Sequence, residues 1–140
     1  VDDAVPKGRF LAFSDVPVLV VEDNIVNQRI LIMMLKKLGY EALLANHGRE
    51  ALDIIEEKAV SLVLMDLQMP VMDGFTCTEK IRQRVDSKSA IPIVAVTANL
   101  MSADKEHCLK CGMDDFIKKP VKLEVLQAIL EKYVLQKKTS

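Results

Sequence analysis

A chain of 140 residues, half of them hydrophobic and 28% charged, has room for one domain with a proper core and not for two of ordinary size. A net charge of −1, with no run of lysine or arginine longer than two, argues against a nucleic-acid surface. No apolar stretch approaches the ~18 residues of a bilayer crossing and the first residues carry no signal-peptide pattern, so a domain without membrane contact is expected.

The three cysteines, Cys77, Cys108 and Cys111, are an odd number in a chain that needs no staples and point to a reducing, cytosol-like compartment. Residues 1–15, with Asp2, Asp3, Pro6 and Gly8, read as a linker or leader; the domain proper is expected over 16–134, with a polar tail at 135–140. The first strand is predicted at 16–21 (VPVLVV) and runs into Glu22, Asp23 and Asn24. A helix follows at 27–38, stopped by Gly39. Its core stripe should be Asn27, Ile30, Leu31, Met34, Leu35 and Leu38. That leaves Ile25, Val26, Ile32 and Met33 on the other side, where a surface helix is ordinarily polar.

The second strand, 41–45 (EALLA), ends at Asn46 and His47, and Gly48 opens a helix at 49–58. The third, 61–65 (SLVLM), delivers Asp66 at its end, and Gly74 precedes a helix at 75–84. The fourth, 91–96 (IPIVAV), leads to Thr97 and Ala98, followed by a helix at 102–111 that stops at Gly112. The fifth, 115–118 (DFIK), leads to Lys118, Lys119 and Pro120, with a last helix at 123–133. Strands that are apolar throughout are buried on both faces, and parallel neighbours need crossover connections. The expected fold is therefore α/β, a doubly wound five-stranded parallel sheet flanked by five helices.

Such folds bind ligands at the carboxyl ends of their strands. Glu22, Asp23 and Asp66 then meet at one rim, where like charges at short range oppose one another's ionisation unless a cation intervenes. A hard divalent ion fits, with Asp23 and Asp66 as direct ligands and Glu22 acting through a water. A single strand-end acid usually just caps the next helix, but three at adjacent strand ends argue for a site. A carboxylate can accept a phosphoryl group covalently, and that transfer needs positioning and charge neutralisation more than anything else. Lys119 and the Thr97 hydroxyl can supply the remainder. A cis bond before Pro120 would turn Lys119 inward; Lys118 is the alternative, and strand alternation admits only one of the two.

Taken in order, LVVEDN at 19–24, LVLMDLQMPVMDG at 62–74, VAVTAN at 94–99 and KKPV at 118–121 resemble the response-regulator receiver domain of two-component signalling. EDN and TAN resemble in particular the receivers of hybrid sensor histidine kinases, and no DNA-binding pattern follows Tyr133. The resemblance spans about 16–133 and implies a flavodoxin-like, receiver-type fold. It implies that Asp66 takes phosphate from a phosphohistidine. Mg²⁺, or Mn²⁺ in its place, would be held by Asp23, Asp66 and the main-chain carbonyl of Gln68, with Glu22 further out. Thr97 and Lys119 fill the switch and phosphate-contact positions. Phe116 stands where an aromatic swings inward with the threonine, although simple edge-strand packing would equally account for it. Two departures are Glu22, where many members have Asp, and Val121, where an aromatic is frequent.

The implied partner is a histidine-containing phosphotransfer protein or a histidine kinase domain. Its helix would lie on Ile25, Val26, Ile32 and Met33, unless that patch instead packs against the leader at Phe10–Phe13 or part of it is buried. The domain would support phosphoryl transfer to its own Asp and slow autodephosphorylation, as a cytosolic part of a parent that can itself be membrane-bound. Competing readings fare worse. His107, Cys108 and Cys111 lack the second ligand pair that structural zinc wants. No glycine-rich phosphate loop follows any strand, which argues against a nucleotide switch. An aspartyl phosphatase would want a second Asp where Gln68 stands. A degenerate, purely binding receiver would have lost the acids or the lysine.

Overall fold

The computed structural model describes residues 16–67, 69, 71–98 and 102–135. The expected leader, Gln68 and residues 136–140 of the tail lie outside the described residues. The elements run β1 (Val18–Val21), α1 (Ile25–Lys37), β2 (Ala42–Ala45), α2 (Gly48–Glu57), β3 (Leu62–Asp66) and α3 (Gly74–Arg82). A 3-10 turn at Ser87–Ala90 leads to β4 (Ile93–Thr97), α4 (Ser102–Cys111), β5 (Asp115–Lys118) and α5 (Leu123–Leu130), which ends in a wider π-type turn at Glu131–Leu135. All five strands pair in parallel in the order β2-β1-β3-β4-β5. This is the doubly wound sheet expected from the strand–helix alternation.

The apolar runs divide by residue parity between two cores. Leu19, Val21, Val63, Met65, Ile93 and Ala95 face one side, against Ala51 and Ile55 of α2, Cys77 and Ile81 of α3 and Cys108 of α4. Val18, Val20, Leu62, Leu64, Val94 and Val96 face the other, against Leu31 and Leu35 of α1 and Leu126, Ile129 and Leu130 of α5. A strand that must be apolar in both directions leaves its polar residues at its ends, which is where the site forms.

Strand starts fall one or two residues later than expected at β1, β2, β3 and β4, and β3 and β4 reach one residue further, to include Asp66 and Thr97. Pro17 and Pro92 explain the late starts of β1 and β4: neither has an N–H for the ladder, and each offers only its carbonyl, to Ser61 and Val63 at 2.9 Å. Helix α1 starts two residues early because the Asn24 side chain caps it, accepting from Asn27 N at 3.0 Å.

The face of α1 also needs correction. Its buried residues are Gln28, Leu31 and Leu35, while Ile25, Val26, Ile30 and Met33 are exposed and Ile32 is half-buried. Ile30, expected in the core, lies about 140° around the helix from Leu35, whereas Ile32 lies only about 60° from it. The apolar outer patch is therefore Ile25, Val26, Ile30 and Met33.

Candidate functional site

The site sits at the carboxyl ends of β1, β3 and β4. The chain leaves β1 for β2 on one side of the sheet and returns to β3 on the other, so β1 and β3 flank the switch point where open sheets bind ligands. One carboxylate oxygen from each of Glu22, Asp23 and Asp66 lies within 4.8 Å of the others. Glu22 and Asp66 are buried and Asp23 is exposed, so the trio has one open side. Three carboxylate oxygens converging on an open position suit a hard divalent cation that keeps some of its waters. The expected fourth donor, Gln68, lies outside the described residues.

Lys119 reaches this trio and Lys118 does not. The Lys119 ammonium donates to Glu22 Oε1 at 2.9 Å and stands 3.8 Å from Asp66 Oδ1. The Lys119–Pro120 peptide is cis, and Lys119 N donates to the Thr97 carbonyl at 2.7 Å, which ties the β5 end to the β4 end. Lys118, paired in register with Thr97, is exposed. Thr97 itself is buried at the end of β4.

Phe116 is half-buried against the core shared with α2, α3 and α4, and the Lys105 ammonium lies 5.3 Å from its ring centroid. Below Asp66, α3 comes so close that only glycine fits. A Cβ on Gly74 would lie 2.4 Å from the Asp66 carbonyl oxygen, and Gly74 N donates to the Leu67 carbonyl at 3.1 Å. Asp73 caps that helix by accepting from Thr76 N at 2.8 Å. The three cysteines are buried, with Cys77 Sγ on the Gly48 carbonyl and Cys111 Sγ on the Cys108 carbonyl, so they serve packing.

Sequence reasoning missed Gln28. It is a buried amide of α1 that donates to the Glu22 carbonyl at 2.6 Å and to Asn46 Oδ1 at 2.8 Å. The available signal was its spacing, three before Leu31 and seven before Leu35, which places it on the buried stripe.

A parallel 2-1-3-4-5 sheet with an acid trio and a lysine at its switch point defines a class, and comparisons agree with it. The response regulator receiver domain family matches residues 18–131, and the chain belongs to that family. Among curated proteins it is 43% identical over 117 residues to the hybrid signal transduction protein dokA of Dictyostelium discoideum, covering 84% of this chain and 7% of that protein. It is 42% identical over 120 residues to the sensor histidine kinase RcsC of Salmonella typhimurium, covering 86% of this chain and 12% of that protein. The chain thus spans only a small part of the curated relatives it matches.

Among solved structures, the receiver domain of sensor histidine kinase PA1611 from Pseudomonas aeruginosa, with a magnesium ion coordinated in its active-site cleft, is 40% identical with a TM-score of 0.78. That match covers 84% of this chain and 96% of the other. The receiver domain of Ssk1, solved with the histidine phosphotransfer protein Ypd1 of Saccharomyces cerevisiae, is 35% identical with a TM-score of 0.79, covering 87% of this chain and 90% of the other. Among the described residues no helix is long and apolar enough to cross a membrane.

Proposed function

We propose that this receiver takes a phosphoryl group onto Asp66 from a phosphohistidine of a partner protein and passes it on, or alters partner binding while it is held. The observation that carries the reading is the convergence of Glu22, Asp23 and Asp66 within 4.8 Å, with Lys119 3.8 Å from Asp66. In the transfer, an Asp66 carboxylate oxygen forms a bond to phosphorus. The P–N bond of the phosphohistidine breaks, and its electron pair stays on the imidazole. Glu22, Asp23 and Asp66 would hold Mg²⁺, or Mn²⁺ in its place; the ion would neutralise charge on the phosphoryl oxygens. Lys119 would neutralise a further share, and the hydroxyl of Thr97, at the end of β4, would donate to a phosphoryl oxygen. Thr97 and Phe116 then form the switch that reports the bound group.

The exposed α1 face of Ile25, Val26, Ile30 and Met33 is the docking surface for a helix of a histidine-containing phosphotransfer protein or kinase domain. A receiver solved with a phosphotransfer protein and relatives that are hybrid kinases support that partner. The same relatives support a place within a hybrid histidine kinase; we read the domain as cytosolic, acting without direct contact to nucleic acid or membrane.

The test is incubation with Mg²⁺ and a small acyl phosphate donor. An acid-stable, hydroxylamine-labile adduct should form on the wild type and vanish in Asp66→Asn. An adduct that persists in Asp66→Asn, or a wild type that takes no label, sinks the assignment.

A further inference from the structure

We infer that Gln28 is a positioning residue: with Asn46 and Glu50 it fixes the main chain at Glu22, and thereby sets where Glu22 and Asp23 present their carboxylates to a divalent cation. The inference rests on the cation-assisted reading above and adds residues that touch neither the trio's carboxylates nor Asp66.

A buried amide on the sheet-facing side of a helix is an expensive choice unless its hydrogen bonds are made. Leucine would fill the same space beside Leu31 and Leu35 without that cost. Both N–H groups of the Gln28 amide are used, on the Glu22 carbonyl at 2.6 Å and on Asn46 Oδ1 at 2.8 Å. The Glu22 N–H is meanwhile held by the Ala45 carbonyl at 3.0 Å. Glu22 is therefore gripped at its N–H and at its carbonyl, the two sides of the point where β1 turns into the Asp23 loop.

The chain of bonds has a direction. Asn46 gives both its main-chain N–H, at 2.6 Å, and its side-chain Nδ2, at 3.0 Å, to Glu50 Oε1. That leaves Asn46 Oδ1 facing Gln28 as an acceptor. The Asn46 main-chain N–H, and next its side chain, hold the Glu50 carboxyl below its ordinary range, so Glu50 stays an anionic acceptor at neutral pH. A carboxylate on α2 thus orients an amide at the end of β2, which orients an amide on α1, which holds the residue bearing Glu22. Linked bonds of this kind reinforce one another. A site that must bring three oxygens within a few ångströms depends on such support, and removing an outer partner of a metal ligand costs roughly 10–100-fold in affinity.

The deciding experiment measures Mg²⁺ affinity by calorimetry and, separately, the Mg²⁺ dependence of labelling by a small acyl phosphate. Gln28→Leu keeps the volume and removes both donors. Its half-saturating Mg²⁺ should rise roughly 10–100-fold, while labelling at saturating Mg²⁺ returns close to the wild-type rate. Asn46→Ala and Glu50→Gln, at the accessible end of the chain, should raise it several-fold with little change in melting temperature, and they decide the matter if Gln28→Leu does not fold. Variants that melt lower yet keep the wild-type Mg²⁺ dependence would show Gln28 merely anchors α1 and overturn the inference alone. A wild type that binds no Mg²⁺ would overturn it together with the reading beneath it.

Discussion

The Lys119 ammonium is 2.9 Å from Glu22 Oε1 and 3.8 Å from Asp66 Oδ1, so one cation serves a buried acid of β1's end and the proposed acceptor at β3's end. Removing one partner of a buried pair strands the other's charge. In Lys119→Met the Glu22 carboxylate, 1% exposed, loses this cation. The variant should be destabilised by about 2 kcal/mol, less than a fully buried pair because the lysine is partly solvated. Mg²⁺ should restore more stability to it than to the wild type, because the ion replaces the missing charge. Labelling should fall roughly 100-fold, the usual loss for one preorganised charge donor. Thermal melting with and without Mg²⁺, together with labelling rates, checks all three; an unchanged labelling rate would remove Lys119 from the chemistry.

Gly74 packs directly against the main chain of Asp66, the proposed acceptor. A methyl at this position would stand 2.4 Å from the Asp66 carbonyl oxygen and 3.0 Å from Leu67 Cα and Met65 Cγ, two of these contacts being backbone that cannot rotate away. Gly74→Ala should cost about 1–3 kcal/mol in urea unfolding. It should also slow labelling even under conditions where the protein remains folded, since relief of the clash moves the main chain of Asp66.

The order of elements and the strand-end residues were legible because doubly wound sheets place their polar positions where apolar runs stop. Asp66, Thr97 and Lys119 could be found that way. The boundaries at Val18 and Ile93 could not, since the missing N–H of Pro17 and Pro92 shortens a strand only according to which neighbour lies alongside, and pairing is a tertiary fact. Ile30 and Ile32 were misplaced for a related reason: a helical wheel fixes relative angles, and only contact with the sheet fixes which angle points inward. Gln28 was passed over because its role depends on Asn46, eighteen residues away, and on a carbonyl that carries no sequence identity.

Met33 separates docking from chemistry. It is 65% exposed on the outer face of α1, beside Val26 and Ile30, and has no part in the acid trio. Met33→Glu should leave labelling by a small acyl phosphate unchanged and slow transfer from a phosphohistidine protein by roughly tenfold, the equivalent of about 1.4 kcal/mol of lost docking energy. Equal losses in both reactions would assign the face to folding instead.

Val71 holds a left-handed backbone, with φ of 71°, although it is β-branched and 80% exposed. Such a conformation costs a non-glycine residue roughly 1–2 kcal/mol, and its exposed side chain gains little packing in return. Val71→Asn should therefore stabilise the domain by about 1 kcal/mol in urea unfolding. A neutral or negative change would mean the valine side chain has contacts worth as much as the strain.

Burial, then the nearby Asp73 carboxylate, pushes the Cys77 thiol up to about 12 from an ordinary value of 9.0. A raised folded-state value means the neutral thiol is favoured by folding. That contribution is whole below pH 9 and is lost as pH climbs from 9 towards 12, where the unfolded chain releases the proton and the folded one retains it. Wild-type stability should thus fall above pH 9 more steeply than that of Cys77→Val, with a difference in slope approaching about 1.4 kcal/mol per pH unit. Urea unfolding of the two proteins at a series of pH values, under reducing conditions, reads that difference directly. Parallel curves would mean that the thiol is hydrated in the folded state, and iodoacetamide would then modify Cys77 at pH 8 without prior unfolding.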